Sequence, residues 1–217
     1  LVAYNLIDFH HIKAIIRTSR SEAAVLAVTF LSTLLVELEF AIYVGVILSL
    51  LLYLNRTSHP HFVTLAPDPE SDRRSFTNIL KKPLQECPQL KIIRMDGSLF
   101  FGAVDHFAQE MRTITRQSPE QAHILLVGSG INFIDVAGCE ALAEEAHRLH
   151  VNGKKLSLCS LTGDVLSVLR RGECIKRIGE ENIFRSKIEA IEKIVPRLDP
   201  ERCRVCTVRI FNECAQM

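Results

Sequence analysis

The stretch INFIDVAGCEAL, residues 131–142, decides the fold. Apolar residues run up to Ile134, a single carboxylate follows at Asp135, and from there the spacing turns helical, with Cys139, Leu142, Ala146 and Leu149 on one stripe. Just upstream, HILLVGSG at 123–130 is an apolar run of strand length closed by glycines, which predicts a strand and then a short loop before Asp135. Asp135 would open a helix over 136–150. A carboxylate there accepts backbone N–H groups that lack an intrahelical partner and faces the positive end of the helix dipole.

The same alternation continues on both sides. FVTLA at 62–66, LKIIRMDG at 90–97 and KLSLCSL at 155–161 read as strands, SLFFG at 98–102 as an extended piece, and ENIFRS at 181–186 as a short edge strand. Helical spacing recurs over 103–116 (Val104, Phe107, Met111, Ile114), 163–171 and 186–198, and Gly153 is a stop signal. Residues 66–90, rich in Pro and charge, read as a surface loop with a short helix near 76–82. Strand and helix in alternation predict an α/β domain over 62–198, a largely parallel sheet covered by helices, followed by a cysteine-containing tail at 199–217.

The first quarter of the chain obeys a different solvent. Residues 23–54 carry only two charges, Glu37 and Glu39, near their middle. One straight helix would bury both carboxylates at the bilayer centre, so a transmembrane hairpin of helices 23–36 and 40–54 is expected. Each leg would be about 21 Å long, shorter than a bilayer core of roughly 30 Å, and would need other helices to cover its ends. Lys13, Arg17 and Arg20 before the hairpin and Arg56 after it place both outer ends on the cytoplasmic side. Residues 1–16 read as the tail of a further helical segment, with Tyr4, His10 and His11 near an interface; adjacent histidines point to different helix faces and make a poor metal pair. The chain begins without Met or a signal-peptide pattern and is expected to be a piece of a longer one, residues 1–56 closing its membrane part.

A net charge of +1 and the absence of Trp argue against nucleic-acid binding. Seven scattered cysteines predict reduced thiols rather than a disulfide framework. Cys203 and Cys206 in CRVC, with Cys214, are three thiols with no nearby His, short of a zinc set, so no metal and no cofactor are expected. GSG at 128–130 lacks the GK[ST] that completes a phosphate loop. His106, His123, His147 and His150 fall on separate elements or solvent faces, and no nucleophile–base–orienter set emerges, so no enzyme is expected.

The order of strand, FIDVAG, helix and GKKLSLCSL resembles the STAS domain, shared by anti-sigma-factor antagonists and the cytoplasmic tails of SulP anion transporters. The antagonists' loop reads Asp, a phosphorylatable Ser, a small residue and Gly. The matching residues here are Asp135, Val136, Ala137 and Gly138, so the hydroxyl is missing and a phosphoserine switch is not expected at that position. NLIDF at 5–9, the apolar run 29–54 and RTSHPHF at 56–62 resemble the last SulP membrane segments. DGSLFFGAVDHF at 96–107 resembles the early STAS segment, and RCRVCTVRIFNEC at 202–214 a bacterial SulP tail. The resemblance implies a multi-pass inner-membrane carrier of sulfate or a related anion, a homodimer in the full chain. Its STAS domain would lie in the cytoplasm, regulating transport or recruiting a partner through Asn132, Asp135, Val136, Ala137 and Gly138. The family's anion site lies in upstream helices, so transport would need those. The alternative is a membrane-tethered module that binds acyl carrier protein, a nucleotide or a signalling protein without transport.

Overall fold

The computed structural model describes residues 8–70 and 75–216; Tyr4 lies outside them. The chain divides into two compact units, Leu1–Arg56 and Thr57–Met217.

In the first unit, α1 spans Phe9–Thr18, α2 Arg20–Leu35 and α3 Leu38–Thr57. Asp8 caps α1 by accepting the His11 N–H, and Ser19 caps α2 through the Glu22 N–H. The chain breaks between α2 and α3 at Val36 and Glu37, and Glu39 sits in the first turn of α3, where a carboxylate suits the helix dipole. The two helices touch where Gly45 meets Thr29: a Cβ on Gly45 would lie 2.8 Å from the Thr29 hydroxyl, so glycine permits the approach. The legs are longer than expected. At 16 and 20 residues they measure about 24 and 30 Å, and among the described residues α3 alone is long and apolar enough to cross a bilayer. The extra length comes from the ends, because α2 starts at Arg20 and α3 continues through Arg56.

The second unit is built on a six-stranded sheet in the order β2-β1-β3-β4-β5-β6, with β1 His61–Pro67, β2 Phe76–Asn78, β3 Leu90–Leu99, β4 His123–Ile134, β5 Lys155–Cys159 and β6 Ile183–Phe184. β3 to β6 run parallel, while β1 is antiparallel to both β2 and β3. The helices are α4 Val104–Gln117, α5 Val136–Val151, α6 Gly163–Arg171, α7 Cys174–Ile178, α8 Lys187–Ile194 and α9 Pro200–Arg204. Side chains alternate across the sheet. Ile93, Met95, Ile124 and Leu126 enter one core with Phe107, Met111, Leu142 and Leu149. Leu90, Ile92, Leu125 and Val127 enter a second core with Ile191, Ile194 and Phe211. Covering both faces is why residues 124–127 of β4 read as an unbroken apolar run.

Several sequence expectations need correction. β4 does not stop at its glycines but runs to Ile134, with no loop before Asp135. A Cβ on Gly130 would stand 2.5 Å from the Met95 carbonyl oxygen, so this glycine lets β3 and β4 approach rather than ending the strand. The helix expected near 76–82 is replaced by β2, whose backbone pairs with β1. SLFFG ends in a 3-10 turn, Phe101–Ala103. The last predicted helix ends at Ile194 and passes into a 3-10 turn holding Pro196, which has no N–H to extend the ladder. The thiols are not all reduced: Cys139 of α5 and Cys174 of α7 form a disulfide, brought together because α7, unforeseen in the sequence, packs on the start of α5.

Candidate functional site

Asp135 lies where β4 passes straight into α5. Its Oδ1 accepts the Gly138 N–H at 2.8 Å, capping the helix, and its Oδ2 accepts the Phe101 N–H at 3.0 Å. Its own N–H donates to the Leu99 carbonyl at 3.3 Å. One carboxylate thus ties the head of α5 to the turn that leaves β3. Gly138 completes the joint. A Cβ there would fall 2.1 Å from the Leu99 carbonyl oxygen and 2.9 Å from Ile134, so only glycine lets the first turn of α5 lie on the end of β3.

The five residues singled out in the sequence play different parts. Asp135 and Gly138 form the joint, half-buried and buried respectively. Asn132 is exposed on β4, Ala137 is half-buried, and Val136, where the antagonists carry Ser, is 71% exposed. Phe101 at 78% and Phe133 at 56% exposure were not singled out, although both belong to the same joint. Their signal is faint: Phe101 is one of two adjacent aromatics, Phe100 and Phe101, and Phe133 interrupts the burial pattern between Ile131 and Ile134. An exposed trio of large apolar side chains beside a rigid helix start suits docking more than chemistry.

Besides Asp135, two ion pairs of α5 lie around this joint. Arg177 of α7 pairs with Glu140 of α5 beside the Cys139–Cys174 bridge. Glu145, buried in α5, is neutralised by Arg148, whose guanidinium is held more basic than usual by that bond. The histidines are dispersed. The His106 ring meets the His59 ring at a tilt of 56° with centroids 4.8 Å apart, and its Nε2 lies 3.2 Å from the Pro60 carbonyl oxygen. Burial, with the charges of Lys155 and Arg197, pushes His123 below the ordinary histidine value.

A family model described as the STAS domain matches residues 81–190, half of the chain. The chain belongs to the STAS domain family. Its STAS region starts before β3 and ends within α8, so it contains the first core, part of the second and the Asp135 joint. Relatives extend the match into the first unit. "Probable sulfate transporter Rv1739c" of Mycobacterium tuberculosis is 26% identical over 192 residues, 88% of this chain and 34% of that protein. "Solute carrier family 26 member 10" of Mus musculus is 24% identical over 197 residues, 88% of this chain and 29% of that protein. The chain spans about a third of the length of the curated relatives it matches. Among solved structures, SLC26A9 superposes with a TM-score of 0.74 at 21% identity, over 89% of this chain and 33% of that one. The murine Solute Carrier 26 family member A9 anion transporter in the inward-facing state gives 0.72 at 23%, over 87% and 30%. At that identity the structures establish a common fold.

Proposed function

We propose that the chain is the C-terminal part of a membrane secondary transporter for sulfate or a related anion. Residues 1–56 complete its membrane domain, residues 62–198 form its cytoplasmic STAS domain, and residues 199–217 are the tail. One observation carries the reading: an apolar 20-residue helix is followed directly by a STAS domain, and relatives named as sulfate transporters align along 88% of the chain. The anion passes through helices upstream of this segment, in a multi-pass inner-membrane protein that assembles as a homodimer. The STAS domain regulates that transport or recruits a cytoplasmic protein, and the surface formed by Asn132, Asp135, Val136, Ala137 and Gly138 with Phe101 and Phe133 is its contact face. Phosphorylation at Val136 is ruled out by the side chain itself.

The test uses the complete protein from the same gene in cells lacking their own sulfate uptake. Labelled sulfate should enter, and Val136→Asp, which places a charge on the contact face, should change uptake or partner capture without changing the amount of protein in the membrane. A complete protein that carries no anion, while its STAS domain still captures a cytoplasmic protein through this face, would favour the membrane-tethered binding module instead.

A further inference from the structure

Cys139 directly follows Gly138 in the first turn of α5, and its bridge to Cys174 ties α7 to the head of that helix. The other five cysteines are free thiols. α7 is only five residues long, too short to hold itself by its own hydrogen bonds. It is entered through Glu173 at φ 56°, a strained backbone for a residue with a side chain, and left through Gly179 at φ 92°. What keeps it in place is the bridge, the burial of Ile175 and Ile178 in the first core, and the Arg177–Glu140 pair. Glu140 stands one turn after Val136 on the same side of α5, so α7 borders the contact face.

We propose that the Cys139–Cys174 bridge is a thiol–disulfide switch beside the contact face: closed, it fixes α7 against the start of α5, and opened by a small cytosolic thiol, it releases α7 and changes the surface a partner meets. The inference rests on the cytoplasmic placement proposed above, because a disulfide in the cytosol is transient, catalytic or redox-sensing rather than a permanent staple. The surroundings accommodate both states. A Cβ on Gly172 would stand 2.8 Å from the Cys139 sulfur, so the turn between α6 and α7 passes close over that sulfur without a side chain. The Gly172 carbonyl oxygen lies 3.6 Å from the Cys174 sulfur and is an acceptor for the S–H that reduction creates. Both cysteines are buried, so exchange proceeds when α7 lifts. A thiolate of the glutathione class then attacks the Cys139 sulfur, and Cys174 leaves as a thiolate and takes a proton. A second thiol attacks the outer sulfur of the mixed disulfide, freeing Cys139 as a thiol and leaving the small thiol as its own disulfide. Two electrons and two protons enter the protein, and the small disulfide reverses the same steps to close the bridge.

The test is a redox titration of the full 217-residue chain in detergent, equilibrated in mixtures of reduced and oxidised glutathione, acid-trapped, alkylated and read by peptide mapping. The cross-linked Cys139–Cys174 peptide should give way to two alkylated cysteines in a single transition within the range of mixtures. Amide exchange across 172–179 should be about tenfold faster in the dithiol form, with a smaller rise over 136–142. Cys139→Ser and Cys174→Ser should each exchange like the dithiol form in every mixture, and Cys159→Ser, a buried thiol elsewhere, should leave the transition where it was. The proposal is overturned by a bridge that stays closed in the most reducing mixture, by one that never forms in the most oxidising, or by amide exchange that is the same in both forms. The titration of the unsubstituted chain stands even if a serine variant fails to fold. It also needs no transport: a chain that fails it loses the switch and keeps the transporter reading, whereas a complete protein that carries no anion leaves the transition intact.

Discussion

Replacing Asp135 with alanine removes two hydrogen bonds at once, and the size of the loss can be worked out in advance. The bond to the Gly138 N–H at 2.8 Å is an N-cap, whose deletion costs about 1 kcal/mol. The bond to the Phe101 N–H at 3.0 Å has a charged acceptor, but Phe101 is exposed, so water can reach the freed N–H and roughly 0.5–1 kcal/mol is lost. Together Asp135→Ala should cost about 1.5–2 kcal/mol, a fall in Tm of roughly 3–8 °C for a unit of this size. Asp135→Asn separates the two bonds. An asparagine oxygen caps as well as an aspartate, but its amide then turns a donor toward the Phe101 N–H, so Asn should recover the cap and not the tie. Urea unfolding of residues 57–217, followed by circular dichroism, measures all three proteins. A loss below about 0.3 kcal/mol for Asp135→Ala, or an Asn variant no better than the Ala one, would refute the double-tether account.

Gly138→Ala should destabilise by about 1–3 kcal/mol although alanine is the better helix former, because its Cβ would fall 2.1 Å from the Leu99 carbonyl oxygen; an unchanged Tm would show that α5 can shift at no cost. His123 is held neutral by burial, so its contribution to stability is complete above the unfolded value of 6.5 and is lost as pH falls through the lower folded value. Stability measured from pH 7 downward should therefore drop below about 6.5, and His123→Gln should flatten that slope. Burial pushes the Cys159 thiol up to about 11 from 9.0, so its contribution is complete below pH 9.0 and lost between there and about 11. In the native protein at pH 8, Cys159 should be the slower to alkylate beside the half-exposed Cys206, as peptide mapping would reveal.

The parts of the fold legible in the sequence are those whose cause is local. Strand and helix alternate because the sheet is covered on both faces, and a capped helix after an apolar strand announces itself in IDVAG. What stayed hidden is what distant backbone supplies. Gly130 looked like a strand end, yet its role is set by Met95 and Asp96 on the neighbouring strand. β2 is three residues that become a strand only by pairing with β1. The site was half legible for the same reason. The capping bond from Asp135 to Gly138 is three residues long, whereas the bond to Phe101 crosses 34.

The central claim is that one chain serves two solvents, a helical membrane unit and a STAS domain in water. Fractionation of two lengths, residues 1–217 and 60–217, tests it most directly. The account predicts that the longer chain sediments with membranes and is released only by detergent, while the shorter is soluble and unfolds cooperatively in urea. A longer chain that stays soluble without detergent would make α2 and α3 part of an ordinary hydrophobic core, and the transporter reading would fall with the membrane unit.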